Sequence, residues 1–337
     1  MASMNRRFFA QTCALAAALP RVGATTPSPR DQDRRPSFRA PFSLDAERVR
    51  FTSSAFPQRV KCFMMADTHL FIDDERGEPY RRFSARMAKA YNQTKHFQTG
   101  AATHPNEAFV QGLALAKESG ADLVALIGDI FSFPSEAAVE WTLARLAEAG
   151  LPFAYVAGNH DWHYEGMEGS LEELRQTWIE RRLKPLYQGR HPLMSAVEVR
   201  GIRFLFLDNS HYEILPGQLE FFREQVRSGN PLALMVHIPL YAPGRSVGFG
   251  CGHPEWGAKS DRNFELERRP RWPEGGHTEA TKQFHREVFA APNLAGVFAG
   301  HIHRPSLDVV QGIPQFVMEA NATGAFMTAE FIPESKT

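Results

Sequence analysis

Five places in the chain set a chemically active side chain directly after a short apolar run. Val60–Ala66 leads into Asp67-Thr68-His69, Leu123–Ile127 into Gly128-Asp129, and Phe153–Ala157 into Gly158-Asn159-His160-Asp161. Leu232–Val236 leads into His237, and Leu294–Ala299 into Gly300-His301-Ile302-His303. Taken singly, each has a structural explanation. Asp-Thr-His suits an Asx-type turn or helix cap, Gly-Asp and Gly-Asn are turn chemistry, and a lone imidazole is most often a satisfied polar group. His301 and His303 stand two residues apart, on one side of an extended chain, a spacing that suits a metal ion. All five in this order, each after an apolar run, are hard to assign to chance. In a sheet with parallel strands, such C-terminal ends collect along one edge, where ligands bind.

The elements that must position these residues alternate along the chain. Asn106–Ser119, Ser135–Ala149, Leu171–Leu183, Pro216–Val226 and Thr278–Phe289 have helical spacing, Pro216 standing early as a helix start allows. Ser195–Leu207 reads as two strands joined at Arg200-Gly201, and Ser306–Ile332 as three strands broken at Gly312-Ile313-Pro314 and Thr323-Gly324. The mixture predicts two packed sheets with helices outside, an α/β or α+β layered sandwich in one domain over residues 59–333. Two stretches fit neither pattern, residues 71–105 and 242–276, and both read as insertions of the lid or binding-loop kind. Gly248-Phe249-Gly250-Cys251-Gly252 is not a dinucleotide fingerprint, since no strand precedes it and no helix follows.

The ends of the chain carry a different message. Arg6-Arg7 precede an apolar run from Phe8 to Leu19, too short to span a bilayer, and Val22-Gly23-Ala24 are small residues suited to cleavage. Residues 1–24 therefore read as an export signal, with Asn5-Arg6-Arg7-Phe8-Phe9 resembling the twin-arginine pattern. The expected location is periplasmic or secreted. Residues 25–58, rich in Pro, Ser and Arg, read as a linker or surface strap. The 337 residues carry 38 basic and 38 acidic side chains, but the leader holds three of the arginines and no acid, so the chain without it has a net charge near −3. Such a balance argues against duplex DNA or an anionic membrane as the main partner, and no oligomeric state follows from it. Three cysteines, at 13, 62 and 251, make no disulfide framework; Cys62 and Cys251 could pair after export, or Cys62 could be a buried thiol in its strand.

The five motifs as a set resemble the calcineurin-like metallophosphoesterase superfamily over roughly Val60–Pro305. The resemblance implies a four-layer α/β/β/α sandwich of two mixed sheets flanked by helices, and a two-metal site. Asp67, His69 and His303 would bind one ion, Asn159, His237 and His301 the other, and Asp129 would bridge them. His160 resembles the family's catalytic histidine, stabilising or protonating the leaving oxygen, and Asp161 would orient and charge that imidazole. The reaction implied is in-line attack on phosphorus by a metal-bridging hydroxide. No cysteine belongs to the set, which excludes a soft thiolate site and leaves Mn, Fe, Zn, Co or Ni.

Departures from the family pattern narrow the substrate. Ile130-Phe131-Ser132 follow Asp129 and Ala157-Gly158 precede Asn159, where protein Ser/Thr phosphatases have phosphate-gripping arginines. Purple acid phosphatases have a tyrosine where Ser132 stands and lack the first-motif histidine that His69 supplies. Too little chain follows His303 for the second domain of 5′-nucleotidase relatives. A small phosphoester remains, with a diester favoured over a monoester. Tyr241 and Arg304 are candidate substrate contacts, and Arg81, Arg82, Arg86 and Lys89 read as a solvated helix face. Two other functions stay open: a non-catalytic binding module on this scaffold, which would be expected to lose ligands, and an exported nuclease.

Overall fold

Alternation along the strands decides the layering. In the computed structural model, which describes residues 39–245 and 276–334, the strands are β1 (Phe42–Asp45), β2 (Arg48–Ser53), β3 (Val60–Met65), β4 (Thr94–Lys95), β5 (Ala102–Thr103), β6 (Leu123–Ile127) and β7 (Phe153–Val156). They continue with β8 (Met194–Val199), β9 (Ile202–Leu207), β10 (Leu232–Met235), β11 (Leu294–Ala299), β12 (Ser306–Val310), β13 (Ile313–Val317) and β14 (Met327–Pro333). The α-helices are α1 (Arg81–Ala90), α2 (Pro105–Glu118), α3 (Glu136–Ala149), α4 (Leu171–Trp178), α5 (Pro216–Ser228) and α6 (Glu279–Ala290). Phe63 and Met65 of β3, with Val124 and Leu126 of β6, point outward onto Phe109 of α2, Val139 of α3 and Trp178 of α4. Their neighbours Cys62, Met64, Ala125 and Ile127 point the other way, onto Phe204, Phe206, Met235 and Phe298 of the second sheet. Leu205, Leu207, Leu232 and Leu234 in turn meet Phe222 of α5 and Phe284 of α6. A period of two thus gives each strand two apolar faces, and four layers follow.

One sheet runs β1-β2-β14-β3-β6-β7 and the other β12-β13-β11-β10-β9-β8. Within them β3, β6 and β7 are parallel, as are β9, β10, β11 and β13, while β14 runs antiparallel to β3 in the middle of the first sheet and β1, β8 and β12 are antiparallel at the margins. Both sheets are mixed, as expected. Between them lies a phenylalanine-rich core in which Phe51 stacks on Phe331 at 5.3 Å and Phe298 on Phe316 at 5.4 Å between ring centroids.

The strap expected over residues 25–58 requires correction in its second half. Residues 25–38 lie outside the described residues, but β1 and β2 form a hairpin and β2 adds in parallel to β14, with Val49 and Phe51 wholly buried. Arg48-Val49-Arg50-Phe51 does alternate, but two apolar residues among so much Pro, Ser and Arg give too faint a period to read. The first insertion, residues 71–105, holds α1 and the small β4–β5 hairpin. Leu171–Leu183 begins as α4 and ends in a π-helical turn over Ile179–Leu183. Cys62 is a buried free thiol. The export signal of residues 1–24, Cys251 and most of the second insertion (246–275) lie outside the described residues.

Candidate metal centre

The parallel strands deliver all five motifs to one region, and backbone hydrogen bonds lock their loops together. Beyond β3 and β6, the Asp67 N–H donates to the Gly128 carbonyl and the His69 N–H to the Asp129 carbonyl, each at 3.0 Å. In the second sheet the Gly300 N–H donates to the His237 carbonyl at 3.0 Å. The cost of this geometry is visible in the backbone. Asp67, His69, Asp129, His301 and His303 all have positive φ, between 50° and 71°, a region that costs a non-glycine residue about 1–2 kcal/mol. Strain of this kind persists only where the surroundings over-determine it, and it gathers at functional sites. Two glycines let the carboxylates in: a Cβ on Gly158 would lie 2.2 Å from Asp129 Oδ1, and one on Gly300 2.4 Å from Asp67 Oδ2.

The ligand-type atoms fall into two triads. Asp67, His69 and His303 bring one potential ligand atom each to within 4.8 Å of one another, and so do Asp129, His237 and His301. His303 Nε2 is 3.2 Å from Asp67 Oδ1 and 3.1 Å from His69 Nε2. Asp129 Oδ2 is 3.2 Å from His237 Nε2, in the second triad, and 3.9 Å from His69 Nε2, in the first. Asp129 thus stands between the triads, where a bridging carboxylate would be. Asn159 is buried beside them and its Oδ1 finds no hydrogen-bond donor among the described residues, nor does His237 Nε2 find a partner within hydrogen-bonding geometry. Buried polar atoms left in this state carry a penalty of about 1–3 kcal/mol each unless something else satisfies them. Oxygen and imidazole donors gathered in this way, two of them orphaned, fit two divalent or mixed-valence transition-metal ions.

Supporting contacts fix how the donors point. His237 Nδ1 donates to the Ile127 carbonyl at 3.0 Å, which turns the Nε2 lone pair towards Asp129. Asp67 accepts the His301 N–H at 3.0 and 2.9 Å, and His301 Nε2 meets the Tyr212 hydroxyl at 2.8 Å. The electrostatics follow from crowding. Burial, then the neighbouring His303, holds His69 well below its usual pKa. For His237, burial opposes charge, but Asp129 outweighs it and lifts the imidazole to about 10. Burial likewise opposes ionisation of Asp129, but His237 and His160 prevail and keep its carboxyl well below the usual range.

His160 and Asp161 take different positions. His160 is half-buried, its ring 5.1 Å from that of His69, and it lines a cavity of about 350 Å³ together with Asn159. Asp161, expected to orient His160, does not do so. It is wholly buried and its two oxygens accept the backbone N–H groups of Phe131 at 2.8 Å and Gly158 at 2.7 Å. Asp161 therefore ties the second motif loop to the third, and only its sequence proximity to His160 made it look like a partner. Burial, with the charge of Asp129, raises its carboxyl to about 7.

Other expectations divide. Arg81, Arg82, Arg86 and Lys89 are all exposed, as a solvated helix face requires, with Arg81 paired to Glu78 and Arg82 over Phe83, but Arg86 and Lys89 also line the same cavity as His160. Tyr241 packs beside Val317 and Ile302, and Arg304 is exposed. Gly248–Gly252 lie outside the described residues. Three residues passed unread in the sequence. Tyr91 stacks on His69 at 3.9 Å and 7°, Tyr212 holds His301, and His163 shares the cavity with its pKa lowered to about 4 by burial and by His160. His163 could have been noticed, since it stands three residues after His160; Tyr91 and Tyr212 belong to no motif.

With this geometry in place, likeness to known proteins is informative. The calcineurin-like phosphoesterase family matches residues 63–305. A probable cyclic nucleotide phosphodiesterase of Psychrobacter arcticus is 25% identical over 205 residues, covering 59% of this chain and 63% of that protein. Another, from Psychrobacter sp. (strain PRwf-1), is 25% identical over 203 residues, covering 59% of this chain and 52% of its own length. The chain thus spans about half to two-thirds of these relatives. A dimetal phosphatase crystal structure from Danio rerio superimposes with a TM-score of 0.50 at 12% identity, covering 81% of this chain and 93% of the other, which establishes the fold. The chain belongs to the calcineurin-like phosphoesterase family.

Proposed function

We propose that this member of the family hydrolyses a small phosphoester, a diester in preference to a monoester, with Asp67, His69 and His303 holding one metal ion and Asn159, His237 and His301 the other. The observation that carries the reading is Asp129, whose Oδ2 lies 3.2 Å from an imidazole of one triad and 3.9 Å from an imidazole of the other. When bound, two such ions supply Lewis acidity, lowering the pKa of a water and neutralising charge on the phosphoryl oxygens. Mn, Fe, Zn, Co and Ni all suit the donor set.

The protein's own groups do the rest. His160, at the edge of the triads and facing the cavity, holds a proton for the leaving oxygen. Asp161 keeps the second and third motif loops in register, so that Asp129 and Asn159 arrive together. Tyr212 fixes the rotation of His301. No arginine stands at positions 130–132 or 157–158 to grip a doubly charged monoester, which favours the singly charged diester. The names of the Psychrobacter relatives point in the same direction. Residues 1–24 are further proposed to export the chain to the periplasm or beyond by the twin-arginine route. Export that survives Arg6-Arg7→Lys-Lys overturns that route.

A metal-by-substrate screen tests the activity. The chain is stripped, reloaded separately with Mn, Fe, Zn, Co or Ni, and assayed on p-nitrophenyl phosphate and bis(p-nitrophenyl) phosphate. A higher kcat/KM on the diester with at least one ion is expected. The opposite ratio sinks the diester preference, and no turnover with any ion leaves a binding module.

A further inference from the structure

The first insertion, which matches no motif, forms one wall of the cavity on which His160 opens. Met87, Lys89, Ala90 and Tyr91, at the end of α1, line about 350 Å³ whose other side is Asn159, His160 and His163. Two contacts fasten this wall to the site. Tyr91, the residue after α1, lies flat on the His69 ring, and Arg86 Nε donates to Glu165 Oε2 at 2.7 Å across the cavity rim. The Glu165 N–H reaches Met87 Sδ at 3.4 Å, closing the rim further. Arg86 is thereby neutralised. Lys89, three residues on and on the same helix face, has no ion-pair partner among the described residues.

We infer that this cavity is the leaving-group subsite and that Lys89 selects leaving alcohols or phenols that carry an anionic substituent. The inference rests on the proposed role of His160: the group that protonates the leaving oxygen must lie beside it, so the cavity that His160 lines receives the departing alcohol. Met87, Ala90 and Tyr91 supply apolar and aromatic surface for its body, and the volume suits a group of roughly nucleoside size. The ammonium of Lys89 then meets a carboxylate or a second phosphate at the rim. Among the described residues no hydrogen bond or ion pair joins Lys89 to the triads or to His160, so its substitution should act on leaving groups with an anionic substituent far more than on neutral ones.

The test compares aryl phosphoesters, as monoesters and as methyl diesters, whose leaving phenols have matched acidity but are either neutral or carboxylate-bearing. The metal-loaded wild type should favour the carboxylate-bearing phenol in kcat/KM, and raising the salt should shrink that preference. Lys89→Ala should lose about fivefold on the anionic phenol and less than about twofold on the neutral one. Lys89→Glu should reverse the preference, and Lys89→Arg should keep it. Equal effects on both phenols, or a wild type indifferent to the carboxylate, overturn the subsite while the phosphoesterase reading stands. A wild type inactive on every ester overturns that reading and the subsite with it.

Discussion

Glu330 and Asp129 are both buried carboxylates, 3% and 1% exposed, at opposite ends of the same sheet, and they are compensated in opposite ways. Glu330, paired in register with Lys61 near the start of β3, lies 2.7 Å from Arg59, 3.4 Å from Lys61 and 4.0 Å from Arg50. Those cations are permanent, and the cluster is closed by the chain itself. Asp129 has no lysine or arginine within ion-pair distance among the described residues; it meets the His160 N–H at 2.8 Å and imidazoles whose charge depends on pH. One carboxylate is neutralised from within. The other is arranged for positive charge supplied from outside, because a neutral imidazole lone pair facing a carboxylate at 3.2 Å is stable only with a proton or a metal ion between them.

The strongest way to break this contrast is Asp129→Ala. Hydrolysis should fall on the order of 10³-fold or more, and the metal content measured by elemental analysis should drop with it. Retained activity with two bound ions would mean that Asp129 does not bridge. His160→Ala separates holding metal from moving a proton. Turnover should slow on the order of 10²-fold, most on poor leaving groups, while both ions stay bound; equal slowing on good and poor leaving groups argues against the acid role.

Glu330→Gln gives the smallest expected effect and touches only the other half of the comparison. It should cost about 1–3 kcal/mol in urea denaturation at neutral pH, reduced by the exposure of Arg59, with kcat unchanged. Burial works against the Glu330 charge, but Arg59 and Lys61 prevail and hold its pKa below the usual 4.5. The carboxylate therefore stabilises the wild type fully above that pH, and the contribution fades as pH falls below it through the native-state value. The difference between wild type and Glu330→Gln should shrink over that acid range. A difference that stays constant, or a loss of activity in Glu330→Gln, would show that the two clusters are not separate.

Much of the centre was legible because its residues sit at the ends of buried strands. A buried parallel strand must be apolar throughout, so the first polar residue after it stands out, and Asp67, Asp129, Asn159, His237 and His301 are all marked in this way. Asp161 was misread for the same local reason. Adjacency to His160 said nothing about direction, and the loop turns its carboxylate away, onto the N–H groups of Phe131 and Gly158. Strands β1 and β2 escaped notice because an edge segment with charged alternate residues resembles a linker.

The amino-acid sequence by itself determined the layered class and marked the polar residues that follow the buried strands, since these depend on residue type and a period of two along a strand, while the assignment of those residues to two ions came from the family resemblance. Only the tertiary structure decided that Asp129 lies between two triads, that Tyr91 and Tyr212 brace His69 and His301, and that Lys89 lines the cavity beside His160. These are contacts between residues tens to hundreds of positions apart. They arise from how two sheets and an inserted helix pack, and no local pattern encodes the distance between a side chain on one and a side chain on another.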